Sequence, residues 1–146
     1  MQKLFNKKMW LLAVPLAMFM AGCNGGDDSV VGGGGSGGGA PDTTAPTVSS
    51  TIPADTATGV AINQNITATF SEAMDPTTIT STTFTVMQGA TPVPGAVTYV
   101  GTVATFNPTS DLTPNTVVTA TITTGATDLV GNALAANKTW TFTTAP

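Results

Sequence analysis

Few residues in this 146-residue chain can do chemistry. Cys23 is the only cysteine, and histidine is absent. No disulfide can close within the chain, a Cys/His zinc site is excluded, and neither a Ser-His nor a Cys-His nucleophile pair can be built. What remains is carboxylate and amide oxygen. Glu72 and Asp75 lie three apart in Phe70-Ser71-Glu72-Ala73-Met74-Asp75, a spacing that could hold two carboxyls about 5–10 Å apart, as glycoside hydrolysis requires. Nothing nearby signals a cleft or sugar-stacking aromatics. Glu72 is therefore expected to be exposed or bonded to main chain, Asp75 to cap a turn, and no catalytic residue is assigned. Asp128 and Asn132, in Asp128-Leu129-Val130-Gly131-Asn132, are candidates for a weak calcium site completed by Asp111 or Asp55. Calcium wants six to eight oxygens. The plainer expectation is a turn in which both side chains bond to main chain and Gly131 takes positive φ. No metal or other cofactor is assigned. Asn65-Ile66-Thr67 and Asn137-Lys138-Thr139 match the glycosylation sequon inside expected strands and are read as chance.

Charge narrows the partners. The basic residues are Lys3, Lys7, Lys8 and Lys138 alone. Beyond Gly22 one lysine faces eight acids, a net charge of −7. Nucleic acid is excluded, because it needs clustered Lys or Arg to neutralise phosphates. Electrostatic attachment to anionic lipid is excluded on the same ground. Membrane association requires an apolar anchor.

The first residues offer one. A basic start, Met1 to Lys8, precedes twelve uncharged residues, Met9 to Met20, and then Ala21, Gly22 and Cys23. This is the order of a secretory signal. A membrane span needs about 20 apolar residues, and twelve in a helix reach only about 18 Å. Met20-Ala21-Gly22-Cys23 resembles a bacterial lipobox. The resemblance implies lipidation of the Cys23 thiol, cleavage between Gly22 and Cys23, and acylation of the new amino terminus. Two or more acyl chains hold a protein on a membrane firmly where one does so only marginally. Residue 24 is Asn. By resemblance to Gram-negative lipoproteins, in which Asp at that place favours the inner membrane, the expected address is the outer membrane.

Residues 24–40 contain nine glycines, two serines and two aspartates. Such a composition cannot bury enough surface to fold. It is expected to act as a flexible tether spanning about 20–25 Å r.m.s.. Gly32 to Gly39 lacks the lysine and the following helix of a phosphate-binding loop. Pro41 to Pro46 is stiffer and leads into the domain.

Beyond Pro46 threonine alternates with apolar residues. Ile66, Ala68 and Phe70 share one face; so do Val118, Ala120 and Ile122, and so do Trp140 and Phe142. Period two over six or seven residues predicts strands with one buried face, and β-branched Thr suits the other face. Further strands are expected near Thr47–Ile52, Thr83–Met87, Ala96–Val100 and Thr102–Phe106. Turn-rich stretches separate them, with a tight hairpin at Gly101 and one helical turn over Met74 to Ile79, with Asp75 as its N-cap and Pro76 at its first position. About seven short strands in about 100 residues predict an all-β, Ig-like β-sandwich. Phe70, Phe84, Tyr99, Phe106, Trp140 and Phe142 are expected to dominate its core.

Ile52 to Ile79, Pro92 to Thr116, Ala126 to Leu134 and Trp140-Thr141-Phe142-Thr143-Thr144 resemble the SbsA-type bacterial Ig-like domain, over about residues 45–144. The organisation expected is therefore a lipoprotein signal peptide at 1–22, a lipidated cysteine and Gly-rich linker at 23–45, and a bacterial Ig-like domain at 46–144. Members of that family are usually accessory modules of surface and secreted proteins. The expected function is a membrane-anchored, non-catalytic envelope lipoprotein whose single domain is a spacer or binding module, with an envelope protein or a glycan as partner. A second expectation is an accessory module of a larger adhesin or secreted enzyme whose active domain lies elsewhere. Fold alone does not choose between them.

Overall fold

The computed structural model describes residues 40–146. The expected signal peptide, Gly22, Cys23 and almost all of the glycine tract lie outside the described residues. Nine strands form there: β1 (Val48–Ile52), β2 (Ala57–Val60), β3 (Ile66–Phe70), β4 (Phe84–Gln88), β5 (Thr91–Pro92), β6 (Gly95–Val100), β7 (Val103–Pro108), β8 (Val117–Ile122) and β9 (Lys138–Thr144). They make two sheets, ordered β1-β3-β7-β6 and β2-β9-β8-β4-β5. The architecture is the expected Ig-like sandwich.

The three alternating segments form β3, β8 and β9; their in-phase apolar residues are buried, with Thr144 beside them, while Val117, out of phase at the start of β8, is exposed. Threonine takes the outer face. In one sheet Thr85 sits opposite Thr121, and Thr121 opposite Thr139. In the other Thr98 and Thr67 flank Thr105. The Phe84 ring links the layers: its centroid is 5.7 Å from that of Phe106 on the opposite sheet and 5.9 Å from that of Trp140 on its own. Tyr99 is half-buried and packs edge-on to Phe70 at 6.3 Å. Burial of this apolar face supplies the main driving force, at about 25 cal/mol per Å².

Two strands exceed the expected seven. β2 falls in the turn-rich stretch expected between β1 and β3 and pairs in parallel with β9 (Ala57↔Phe142, Val60↔Thr144). It shows no alternation, because only its end residues are partly buried, so the periodicity that revealed the others was absent. β5 is a two-residue edge strand that folds back antiparallel on the end of β4 (Met87↔Pro92, Gln88↔Thr91). The expected helical turn at Asp75 is a capped turn instead. Thr77 N–H donates to Asp75 Oδ1 at 2.8 Å, and Thr78 N–H donates to the Asp75 carbonyl at 3.0 Å. Consecutive β-branched Thr77, Thr78, Ile79 and Thr80 lose χ1 freedom in a helix, which disfavours its continuation.

The β6–β7 hairpin turns at Gly101, with φ +63° at the first central position of a two-residue loop. A different glycine is needed for space: a Cβ on Gly95 would lie 2.4 Å from the Phe106 ring.

Candidate functional site

The chain reaches the sandwich at the end where β1 starts, β3 and β6 finish, and β9 starts. We call this the proximal end. Ser71 ties the arriving segment down: its N–H donates to the Thr47 carbonyl at 2.8 Å, and its Oγ accepts from Thr47 N–H at 3.0 Å. The loop after β3 is then fixed from both sides. Met74 N–H donates to the Tyr99 hydroxyl at 2.8 Å, and Asp75 N–H donates to the Thr127 carbonyl at 2.8 Å. The buried Met74 forms an isolated bridge with Asp128. These bonds carry Glu72 to Asp128.

Asp128 is 3% exposed and organises the loop that follows it. Its Oδ1 accepts from Val130 N–H at 2.9 Å and Asn132 N–H at 2.8 Å, and its Oδ2 accepts from Asn132 Nδ2 at 2.8 Å. Gly131, at φ +94°, permits the reversal. Asn132 Nδ2 also donates to the Asp42 carbonyl at 3.1 Å. Asp42, Glu72 and Asp128 consequently bring carboxylate oxygens within 4.8 Å of one another. They line a shallow cleft of about 250 Å³ with Ala73, Leu129 and Val130. No basic side chain or aromatic ring lines it.

The environment splits the acids. Burial pushes the Asp128 carboxyl up, but hydrogen bonds from the Asn132 side chain and from main-chain N–H groups outweigh that and hold it below the usual range. Burial raises Glu72, and the charges of Asp42 and Asp128 raise it further. Asp75 is lowered by bonds from the Thr77 hydroxyl and N–H. Negative charges this close disfavour the ionised form of Glu72. A proton held on Glu72 or a bound cation relieves the repulsion.

The sequence candidates fall differently from their expected grouping. Glu72 and Asp75 do not form a pair: Asp75 closes its own turn, while Glu72 faces Asp42 and Asp128. Asp128 and Asn132 build the expected turn. Neither Asp111 nor Asp55 joins them; Asp55 Oδ1 instead accepts from Thr141 N–H at 2.9 Å. As an oxygen-ligand group the cluster is Asp42, Glu72 and Asp128, with both Asp128 oxygens already bonded. Asp42 was missed because it sits in the Pro-bounded segment before the strands. Tyr99 was seen only as a core ring. No local signal marks either role.

Two packed sheets, with an Asp-Asn turn and a Ser-Glu loop at one end, make an Ig-like module. The chain belongs to that family: the model for the bacterial Ig-like domain matches residues 42–144. Among solved structures, the chain is similar to the surface layer protein SbsC, domains 1–6 (TM-score 0.54, 20% identity, covering 70% of this chain and 14% of that one). It is also similar to LD transpeptidase LdtMt1 in complex with imipenem (TM-score 0.51, 18% identity, 70% of this chain and 41% of that one). CopC from Methylosinus trichosporium OB3b gives a TM-score of 0.54 at 12% identity, over 69% of this chain and 94% of that one. These likenesses are of fold, and the chain spans only a small part of SbsC. Among curated proteins, none matches.

Proposed function

We propose that this chain is a non-catalytic surface lipoprotein of the bacterial envelope. Cys23 is its lipid anchor, residues 24–45 hold the domain off the membrane, and one Ig-like sandwich serves as a spacer or as a module for an envelope protein or a glycan. The outer membrane is its address. The observation that carries the reading is the order on one chain: basic start, twelve uncharged residues, Met20-Ala21-Gly22-Cys23, a glycine tract, and then an Ig-like domain matched over residues 42–144. The absence of histidine and the shallow cleft, with neither aromatic nor basic lining, support a non-catalytic role. Likeness to a surface layer protein agrees with a surface location.

The test is the intact mass of the product made by a bacterial host from the full chain. The expected species begins at Cys23 and carries acyl groups, and Cys23→Ser leaves the membrane fraction. Retention of Met1 through Gly22, or a bare thiol on a protein free of membrane, overturns the reading. An accessory module of a larger adhesin or secreted enzyme is the second reading. The small share of SbsC and LdtMt1 that this chain covers favours it. A further domain encoded in frame beyond residue 146 would support it.

A further inference from the structure

We propose that the proximal end of the sandwich rests on the bilayer, with Leu129, Val130 and Val100 entering the headgroup region of a zwitterionic lipid surface. The inference rests on the lipid-anchor reading and adds a second membrane contact to it. Leu129 and Val130 are 68% and 65% exposed at the tip of the Asp128 loop, and Val100 is 78% exposed at the tip of the β6–β7 hairpin. Both tips flank the end of β3 and the loop after it: Phe70 N–H donates to the Thr102 carbonyl, Met74 N–H donates to Tyr99 Oη, and Met74 bridges to Asp128 in the other loop. They therefore project from one end. The other large exposed apolar residues, Ile52 and Val117, lie at the opposite end, at the finish of β1 and the start of β8, away from where the chain arrives.

The occupant follows from where the chain arrives. The described residues begin at this end, where the Asp42 carbonyl accepts from Asn132 Nδ2 of the Leu129 loop. Eighteen residues separate Cys23 from Asp42, and a Gly-rich chain of that length spans about 20–25 Å r.m.s.. An anchor at Cys23 thus holds these tips at high effective concentration beside lipid, where weak apolar contacts become populated. Electrostatics selects the lipid. Asp42, Glu72, Asp75 and Asp128 lie at this end and oppose an anionic surface. Lys138, the single cation among the described residues, begins β9 at the same end and can meet a headgroup phosphate.

The test uses the full-length acylated protein reconstituted into phosphatidylcholine vesicles. Cys23 is the only native cysteine, and acylation blocks it, so Leu129→Cys or Val100→Cys supplies a unique thiol for an environment-sensitive nitrobenzoxadiazole dye. Asp111→Cys, in the loop at the opposite end, is the control. All three positions are exposed, and circular dichroism checks that the fold is kept. The expected result is blue-shifted, several-fold brighter emission from positions 129 and 100, quenched by spin-labelled lipid, with water-like emission from 111. Water-like emission at 129 and 100 in protein of the acylated mass overturns the bilayer contact while the anchor stands, and leaves a protein as the partner of these tips. A mass showing unmodified Cys23 overturns both. Vesicles containing phosphatidylserine should weaken the shift; a stronger shift there contradicts the lipid choice.

Discussion

The two ends of the sandwich carry loops of similar composition but close them with different groups. At the distal end main-chain bonds, Asn115 N–H to the Ala145 carbonyl at 3.0 Å, Ala145 N–H to the Val60 carbonyl at 2.7 Å and Leu112 N–H to the Ile62 carbonyl at 2.8 Å, are joined by a neutral group, the buried Thr144 hydroxyl, which accepts from Thr116 N–H at 2.9 Å and donates to the Thr113 carbonyl at 2.7 Å. The buried Leu112 side chain plugs that end. At the proximal end main-chain bonds are joined by the Tyr99 and Ser71 hydroxyls and by a buried carboxylate, that of Asp128. Main-chain closure is indifferent to pH and to most substitutions. Side-chain closure depends on residue identity, and where a carboxylate is involved it depends on protonation. Closure of the proximal end can therefore respond to pH through Asp128, whereas the neutral groups that close the distal end do not titrate.

Removing the distal plug should have the largest effect. Leu112→Ala is expected to cost about 2–5 kcal/mol, the usual range for a buried leucine, seen as a lower urea midpoint with unchanged slope. Gly95→Ala comes next, also in the distal half. The added methyl meets the Phe106 ring, and overpacking of this kind costs about 1–3 kcal/mol. Gly101→Ala, at the proximal hairpin, meets no atom within 4 Å and pays only for its φ, so calorimetry should show the smaller loss there. If Gly101→Ala proves worse, spatial constraint is not what separates the two ends.

Asp128→Ala should act locally. The Val130 and Asn132 amides lose their acceptor and are expected to exchange hydrogen much faster, while the Asn115 and Ala145 amides keep their protection. Equal acceleration at both ends would mean that the ends are not independent.

The smallest effect has the opposite sign. Asp75 and Asp128 have folded pKa values below their unfolded ones. Their contribution is complete above about pH 4 and is lost as pH falls through the folded values. Glu72 has a raised folded pKa. Its contribution is complete below about pH 4 and is lost as pH rises through the folded value. Stability should thus peak on the acid side of neutrality. Glu72→Gln should melt slightly higher than the natural protein at pH 7 and at the same temperature near pH 4. A lower melting temperature at pH 7 would show that the Glu72 charge is stabilising, as a cation held by the cluster would make it.

The core was legible residue by residue. Ile66, Ala68 and Phe70 announce their buried face through a period of two, and Gly101 announces its turn through its neighbours. β2 was not legible, because its pairing with β9 depends on a crossover between sheets that leaves no alternation behind. The Asp128 turn could be read from five adjacent residues. The company that Asp128 keeps could not, since Asp42 and Glu72 come from distant parts of the chain.

Composition and local pattern alone determined the strands, the inward faces, the exclusion of histidine and disulfide chemistry, and the single cysteine before a glycine tract. Those properties depend on neighbouring residues and on counts. The tertiary structure decided that three carboxylates share one cleft, that Tyr99 holds Met74, and that the exposed tips of two loops project from the end where the chain arrives. Strand order and sheet-to-sheet packing set those distances, and neither is encoded in any short window of residues.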